Sequence, residues 1–425
     1  MSQESTLHCD VVVCGAGVAG LAAAYALSAL KLKVLLLEKL RRPVAIAKGE
    51  VLQPGSLRIL RDWGILPRLE ERGAVRLNRL VVRDAGGSQM MLFDYGTLSS
   101  ENQTLLTHDH PVILEVLANS LGSEVEWRRG ALVEELLRDG TGRVSGVRVA
   151  QGEQRYEVRA PLVVAADGLS SRLRRMAGVS GEPVKYGHHL VSFELSGVAA
   201  LPPEVTAYAT GRGLRLLYPL PHGRARLYVQ TGPDELRGAG PEALAAWCEA
   251  LPRDTPSLEP LMGPLRASLD TRQLFAVSRF MASRLAVPGL ALLGEAAHVV
   301  HPMAAQGMNT AIADAHALAG QLARVASLAP EAVDKALRGY ASEHAAWVDH
   351  IDRMSHDATR MITDTSWEGR LFGRRMLRHT SGNPRLSYVA TYNLAGLGRR
   401  PFTVLDRLHQ LGLPDPRARS LPTWR

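Results

Sequence analysis

The chain has 425 residues, 46% of them hydrophobic and 22% charged, enough to bury a large core and to form two domains of ordinary globular composition. Its net charge of +8 comes mainly from arginine, and no basic stripe is interleaved with aromatics, which argues against nucleic acid as a partner. The three cysteines, Cys9, Cys14 and Cys248, have neither metal-ligand spacing nor the density of a disulfide framework, so no metal site is expected and a reducing cytoplasm fits.

The run 11–37 is very apolar, yet glycines and Ser28-Ala-Leu-Lys-Leu-Lys33 interrupt it, and it is read neither as a signal nor as a membrane span. Asp10–Val13 is a β-branched strand leading into Gly15-Ala-Gly-Val-Ala-Gly20, a helix to about Leu30, and a second strand Val34–Leu37 that ends at Glu38. In such a unit Gly15 permits the tight turn, Gly17 lets a pyrophosphate approach the backbone, and Gly20 lets helix and strand pack closely. The helix N-terminus faces the phosphates, and Glu38 can accept hydrogen bonds from ribose hydroxyls. A dinucleotide is therefore expected here. Lys39, Arg41, Arg42 and Lys48 are either solvated loop charges or neutralise the pyrophosphate, and Ser56 is expected to cap a helix 56–63.

Two runs, Leu80–Asp84 and Met90–Phe93, flank the Gly86-Gly87 turn and read as strands. A helix is expected over Pro111–Leu121, with His110 just before it, then a meander of Val125–Trp127, Leu132–Leu137 and Val144–Val149. The buried run Leu162–Ala165 ends at Asp167-Gly168, with Ser171 and Arg174 on the next helical turn. At a strand's C-terminal end the Asp167 carboxylate or backbone can meet a ligand hydroxyl. Residues 185–280 change to short strands, Leu190–Leu195, Val205–Thr210, Leu214–Pro219 and Ala225–Thr231, and Val191, Phe193, Tyr208, Leu217, Tyr218, Tyr228 and Gln230 are candidate substrate-pocket residues.

The stretch Leu293–Asp314 reads as a strand end, a loop and a helix starting near Asn309, whose unpaired N–H groups invite an anion. Helices follow to about 363. The tail 367–425 is rich in arginine; docking on the body is expected, with peripheral contact to an anionic membrane as the alternative.

Three motifs thus stand in order: Gly15-x-Gly-x-x-Gly20 with Glu38, Asp167-Gly-x-x-Ser171-x-x-Arg174, and Gly294-Glu-Ala-Ala-His298-x-x-x-Pro302-x-x-x-Gln-Gly307-x-Asn309. Over roughly residues 8–350 the chain resembles the single-component flavoprotein monooxygenases typified by para-hydroxybenzoate hydroxylase and the ubiquinone-biosynthesis hydroxylases. The resemblance implies an α/β fold: a glutathione-reductase-like FAD-binding Rossmann domain, an inserted mixed β-sheet substrate domain, and C-terminal helices. The boundaries expected are 1–75, 100–180 and 282–330 for the FAD domain, 76–99 and 181–281 for the substrate domain, and 331–425 for the helical region.

FAD contacts are implied at Gly15, Ala16, Gly17, Ala19, Gly20, Glu38, Lys39, Lys48, His110, Val133, Asp167, Gly168, Gly294, Glu295, Pro302, Gly307, Met308 and Asn309. The chain departs from the family pattern at four of its positions: Glu295 stands for Asp, Ala305 for Gly, and His110 and Lys48 for arginines. The implied reaction is insertion of oxygen from O₂ into an apolar aromatic or polycyclic molecule, such as a prenylated quinolone or quinone, through a C4a-hydroperoxyflavin. Pro302 would wall the ring near C4a, and the N–H groups of Gly307–Asn309 would stabilise charge near N1. His301 is a candidate base, with Tyr218 and Tyr228 as lesser ones, whereas His298 is expected to be structural. Only one dinucleotide fingerprint is read, so NAD(P)H reduces the flavin in a transient encounter or a partner flavin reductase delivers the electrons. The alternatives are a geranylgeranyl-reductase-like flavoprotein and a non-catalytic nucleotide-binding scaffold.

Overall fold

The computed structural model of the chain describes residues 6–42 and 49–422; Lys48 lies outside them. A six-stranded sheet runs in the order Ala286–Val287, Leu290–Leu292, Leu162–Ala165, Val11–Cys14, Val34–Glu38, Val125–Arg129. All its pairs are parallel except the first, with Val11 opposite both Val34 and Leu162. These strands read as unbroken apolar runs because both faces are covered. Helices Val18–Ser28 and Gly307–Leu322 pack together on the sheet, and a four-stranded sheet of Thr6–His8, Gln154–Arg159, Val144–Gln151 and Ala131–Arg138 also packs against it.

Val125–Arg129 was expected in the meander, but it pairs in parallel with Val34–Glu38. The helix His110–Ala118 just before it makes a crossover, and a crossover returns a strand parallel where a hairpin cannot.

An eight-stranded sheet forms the second layer, in the order His298–Val299, Gln273–Met281, Val184–Leu195, Arg224–Thr231, Gly213–Leu220, Glu204–Thr210, Arg79–Asp84, Gln89–Asp94. One face packs on Pro241–Asp254 and Met262–Ala267, helices that the strand-rich reading of 185–280 left out. Their signal was present in Leu244, Cys248 and Leu251, spaced four and three apart and all buried. The other face lies under the 34-residue helix Pro330–Thr363 and under Trp367–Ser381 and Pro384–Leu394. The helix expected at 56–63 spans Pro54–Asp62 with Gln53 at its N-cap; the Ser56 hydroxyl instead donates to the Asn309 carbonyl at 3.2 Å. Among the described residues, no helix is long and apolar enough to cross a membrane.

Candidate active site

The three motifs converge because their glycines let backbones touch. A Cβ on Gly15, at φ +105°, would stand 2.3 Å from the Ala166 carbonyl oxygen, and one on Gly20 would stand 1.8 Å from that of Gly15. A Cβ on Gly294 would meet that of Ala19 at 2.7 Å, which brings the third motif onto the first. Arg174 joins the second to the third: its guanidinium donates to the Ala296 carbonyl at 2.8 Å and lies over the Phe280 ring.

Gly17, Gly168 and Gly307 behave differently. A Cβ on any of them would meet nothing within 4 Å. Gly17 is exposed at the start of helix Val18–Ser28 and has ordinary extended backbone angles, so its lack of a side chain leaves open space rather than relieving strain. A nucleotide pyrophosphate fits there. Glu38 accepts from the Ala16 N–H through Oε2 and from the Leu40 N–H through Oε1, both at 2.8 Å, tying the loop to the second strand; Lys39 beside it is exposed.

The Asp167 carboxylate accepts from the Ser171 hydroxyl and from the N–H groups of Arg172 and Leu173, so it caps the helix Arg172–Met176. Of the two routes expected for Asp167-Gly168, the backbone at Gly168 is the one with space before it. His110 holds the Gly49 carbonyl through Nδ1 at 3.1 Å, and Met308 sits against the same glycine. Val133 packs on the main core.

The loop of the third motif is held by a buried carboxylate. Asp314 Oδ2 accepts from the Gly294 N–H and from His298 Nε2, and Oδ1 from His344 Nε2, each at 2.7 Å. Burial alone would raise its pKa, but His298 and His344 hold it well below the ordinary value. His298 is structural, as expected. Glu295 is half-buried in the turn Gly294–Ala296. Ala305, where the family pattern has glycine, adopts a left-handed conformation at φ +49°, which costs a side-chain-bearing residue about 1 kcal/mol.

The helix expected to begin near Asn309 begins at Gly307, and its first internal bond runs from the Thr310 N–H to the Gln306 carbonyl. The N–H groups of Gly307, Met308 and Asn309 therefore have no acceptor within the helix. Gln306 does not cap them; its amide donates to the Leu394 carbonyl. The Asn309 side chain accepts from the Gln53 N–H and donates to the carbonyls of Val51 and Ala305, clamping the loop. Pro302 and Gly307 are exposed between buried neighbours and so face open space.

His301 is fully buried. Its Nδ1 accepts from the Met303 N–H at 3.1 Å, and its Nε2 faces His188 Nε2 at 2.9 Å. Burial, with His188 and His356 nearby, keeps its pKa well below the usual value. Both ring nitrogens are thus engaged within the protein, and His301 holds the turn that carries Pro302.

An apolar cavity of ≈ 280 Å³ lies against that turn. Its walls are Leu80, Val82, Ala207 and Leu216 of the eight-stranded sheet, Met303 and Ala304 of the loop, and Met354, Ala358 and Ile362 of the long helix, with Leu377, Leu394 and Phe402 closing it. None of the seven residues expected in the substrate pocket lines it; the Gln230 amide accepts from the Leu214 N–H and donates to the Thr363 carbonyl. Val191, Phe193 and Leu217 point to the opposite core, and Tyr208 pairs across the ladder with Arg215 on that same face. Tyr218 and Tyr228 are on the cavity side but off its wall. Tyr218 donates to Glu50, which Arg226 grips bidentately, and burial with Glu50 nearby pushes the phenol pKa well up. The polar residues that do line the cavity, His350 and Asn393 among them, lie on helices whose registers could not be related before the fold was known.

Converging motifs, open glycines at the strand and helix ends, and an apolar chamber beside Pro302 define an FAD-dependent monooxygenase. The chain belongs to the FAD binding domain family, whose model matches residues 8–355. It is 28% identical over 324 residues to 6-methylpretetramide 4-monooxygenase of Streptomyces rimosus, covering 72% of this chain and 73% of that one. It is 28% identical over 332 residues to 2-heptyl-3-hydroxy-4(1H)-quinolone synthase of Mycobacteroides abscessus, covering 76% and 84%. Pseudomonas aeruginosa PqsL in complex with 2-aminobenzoylacetate superposes with a TM-score of 0.74 at 26% identity, over 84% of this chain and 97% of that one. These are monooxygenases or share their fold, which sets aside the reductase and scaffold alternatives.

Two outcomes test the site. Gly17→Val should abolish FAD binding while its apoprotein melts near the wild-type apoprotein, whereas Gly20→Ala should fail at the fold itself; absorbance at the flavin band and melting curves of the apoproteins separate them. Asp314→Asn should cost about 3–5 kcal/mol by denaturant titration. The depressed carboxylate contributes above its ordinary value of 3.8 and loses that contribution as pH falls through the lower folded value, so the variant should also lack this low-pH slope.

Proposed function

We propose that the protein hydroxylates or epoxidises an apolar aromatic molecule held in the ≈ 280 Å³ cavity. The observation that carries this reading is the contact of a mainly apolar chamber with Met303 and Ala304, directly after Pro302. Its volume is at the lower end of small-molecule pockets, ~300–1,000 Å³, which favours one or two fused rings with an aliphatic chain over a tetracycle. A relative named for a heptylquinolone, and a structural neighbour holding 2-aminobenzoylacetate, support that size class.

FAD, when bound, supplies the activation of O₂ and the transferable oxygen. The chain supplies the rest. In this reading Gly15–Gly20 and Glu38 hold the adenosine half, Gly168 and Gly294-Glu295 the ribityl chain, and the N–H groups of Gly307–Asn309 the charge that builds on the ring. Pro302, without an N–H, offers an inert wall. Helices Pro330–Thr363 and Trp367–Ser381 shut water out of the chamber. The division into FAD, substrate and C-terminal regions at the boundaries given above is part of this proposal. NAD(P)H consumption with and without an added flavin reductase separates direct reduction from a partner. A basic C-terminal surface suits this reading too, since an apolar substrate concentrates in bilayers.

A phenolic substrate reacts faster once deprotonated, and His350 is the imidazole on the cavity wall. Asn393 Oδ1 accepts from the Arg400 N–H, and its amide donates to the Arg400 carbonyl, so Oδ1 faces His350 Nε2 at 3.2 Å. The proton therefore sits on Nε2, leaving Nδ1 basic, and burial lowers the pKa so that the ring is neutral at pH 7. We assign His350 the role of base.

Incubation with a panel of quinolones, quinones and phenols, read by product mass, should show a gain of one oxygen. A gain of two hydrogens, or no turnover of any aromatic, would overturn the proposal. His350→Gln should retain FAD yet slow turnover of a hydroxylated substrate by ~10²-fold and flatten the acidic limb of its pH profile. An unchanged profile would remove His350 from the mechanism.

A further inference from the structure

Helix Val404–Gln410 is turned inside out. Val404 is 80% exposed and Leu405 and Leu408 46%, while Asp406, His409 and Gln410 are buried. This orientation is enforced by polar contacts on the inner side. Thr403 and Asp406 form a capping box, Arg385 bonds both Asp406 and Asp415, and Gln410 donates to the Thr380 hydroxyl. Leu411 and Leu413 continue the outward row. On the adjacent helix Trp367–Ser381, Trp367, Leu371 and Phe372 are each more than half exposed. Arg375, one turn after Leu371, donates to the Leu411 carbonyl and ties the two rows together.

Exposed apolar side chains in such numbers mark a contact surface. Charge selects the occupant. Residues 367–421 carry ten arginines, no lysine and three acids, and two of the acids, Asp406 and Asp415, are taken up by Arg385. In a two-fold dimer through this face the same arginines would confront one another. An anionic lipid surface would instead neutralise them while its acyl boundary received the leucines.

We propose that this face seats the protein on an anionic bilayer surface, with Val404, Leu405 and Leu408 in the headgroup region and Trp367, Leu371 and Phe372 beside them. The same segments contribute Leu377, Thr380, Phe402 and Gln410 to the cavity wall. Seating therefore sets that wall next to the lipid and lets an apolar aromatic substrate with an aliphatic tail pass from bilayer to cavity. The delivery step rests on the cavity being the substrate site; the seating does not.

The FAD-loaded full chain is sedimented with vesicles of phosphatidylcholine alone and of phosphatidylcholine mixed with phosphatidylglycerol. Binding should favour the mixture and weaken with salt. Leu405→Glu with Leu408→Glu, and separately Arg374→Gln with Arg378→Gln, should each lower partitioning about tenfold or more. Flavin absorbance and turnover of a water-soluble aromatic should be unchanged in both variants. Absence of vesicle binding overturns the seating. So does a dimer, seen by light scattering, that the Leu405→Glu, Leu408→Glu variant dissolves without any vesicle binding. Vesicle binding that brings no faster turnover of a lipid-dissolved substrate overturns delivery alone.

Discussion

A single buried carboxylate organises the catalytic half of the molecule. Asp314 receives the Gly294 N–H, the His298 imidazole and the His344 imidazole at 2.7 Å each. Those three donors come from the end of the central sheet, the loop beside Pro302, and the long helix Pro330–Thr363. Asp314 itself sits on the helix that begins at Gly307. The sheet that presents the nucleotide loop, the helix start that offers free N–H groups, and the helix that walls the cavity are thus referred to one charged group. A buried charge tolerates little displacement, because every lost hydrogen bond leaves it unsolvated. That intolerance is what gives the loop between Gly294 and Gly307 a defined shape.

The second constraint is the pleat of the eight-stranded sheet. Alternate residues of one strand serve different chambers: Leu216 lines the cavity while Leu217 joins the core under the helices Pro241–Asp254 and Met262–Ala267. Part of the sheet's polar surface is drawn into one shared network. Glu50 is shared by Arg226 and Tyr218, and Arg226 also reaches Glu194. The sheet side of the cavity is apolar, and its polar lining, His350, Arg353, Asp357, Asn393 and Arg407 among others, stands on the helical wall.

The C-terminal helices reconcile two demands on one segment. Their inner residues line the chamber. Their outer residues would ordinarily be polar, but here the polar side chains are spent inside, with Asp406, His409 and Gln410 buried. The segment that carries the exposed leucines, residues 367–421, holds ten arginines and three acids. The inward polar side and the outward apolar side of residues 403–413 thus come from one amphipathic pattern.

The sequence by itself determined the cofactor and the class of protein. Gly15, Gly17, Gly20 and Glu38, the Asp167-Gly168 strand end, and the run from Gly294 to Asn309 are local patterns, and a nucleotide is held mostly by backbone, so composition and spacing within short segments carry the information. The strands of the inserted sheet were legible for the same reason, as was the structural part played by His298. The tertiary structure alone decided which face of that sheet meets the cavity, because a period of two marks two faces without saying which is which. It also engaged both nitrogens of His301 within the protein and set His350 on the cavity wall. Both depend on partners far away in the chain: His188 lies 113 residues from His301, and Asn393 lies 43 from His350. Distances of that kind are set by packing, and no local pattern records them.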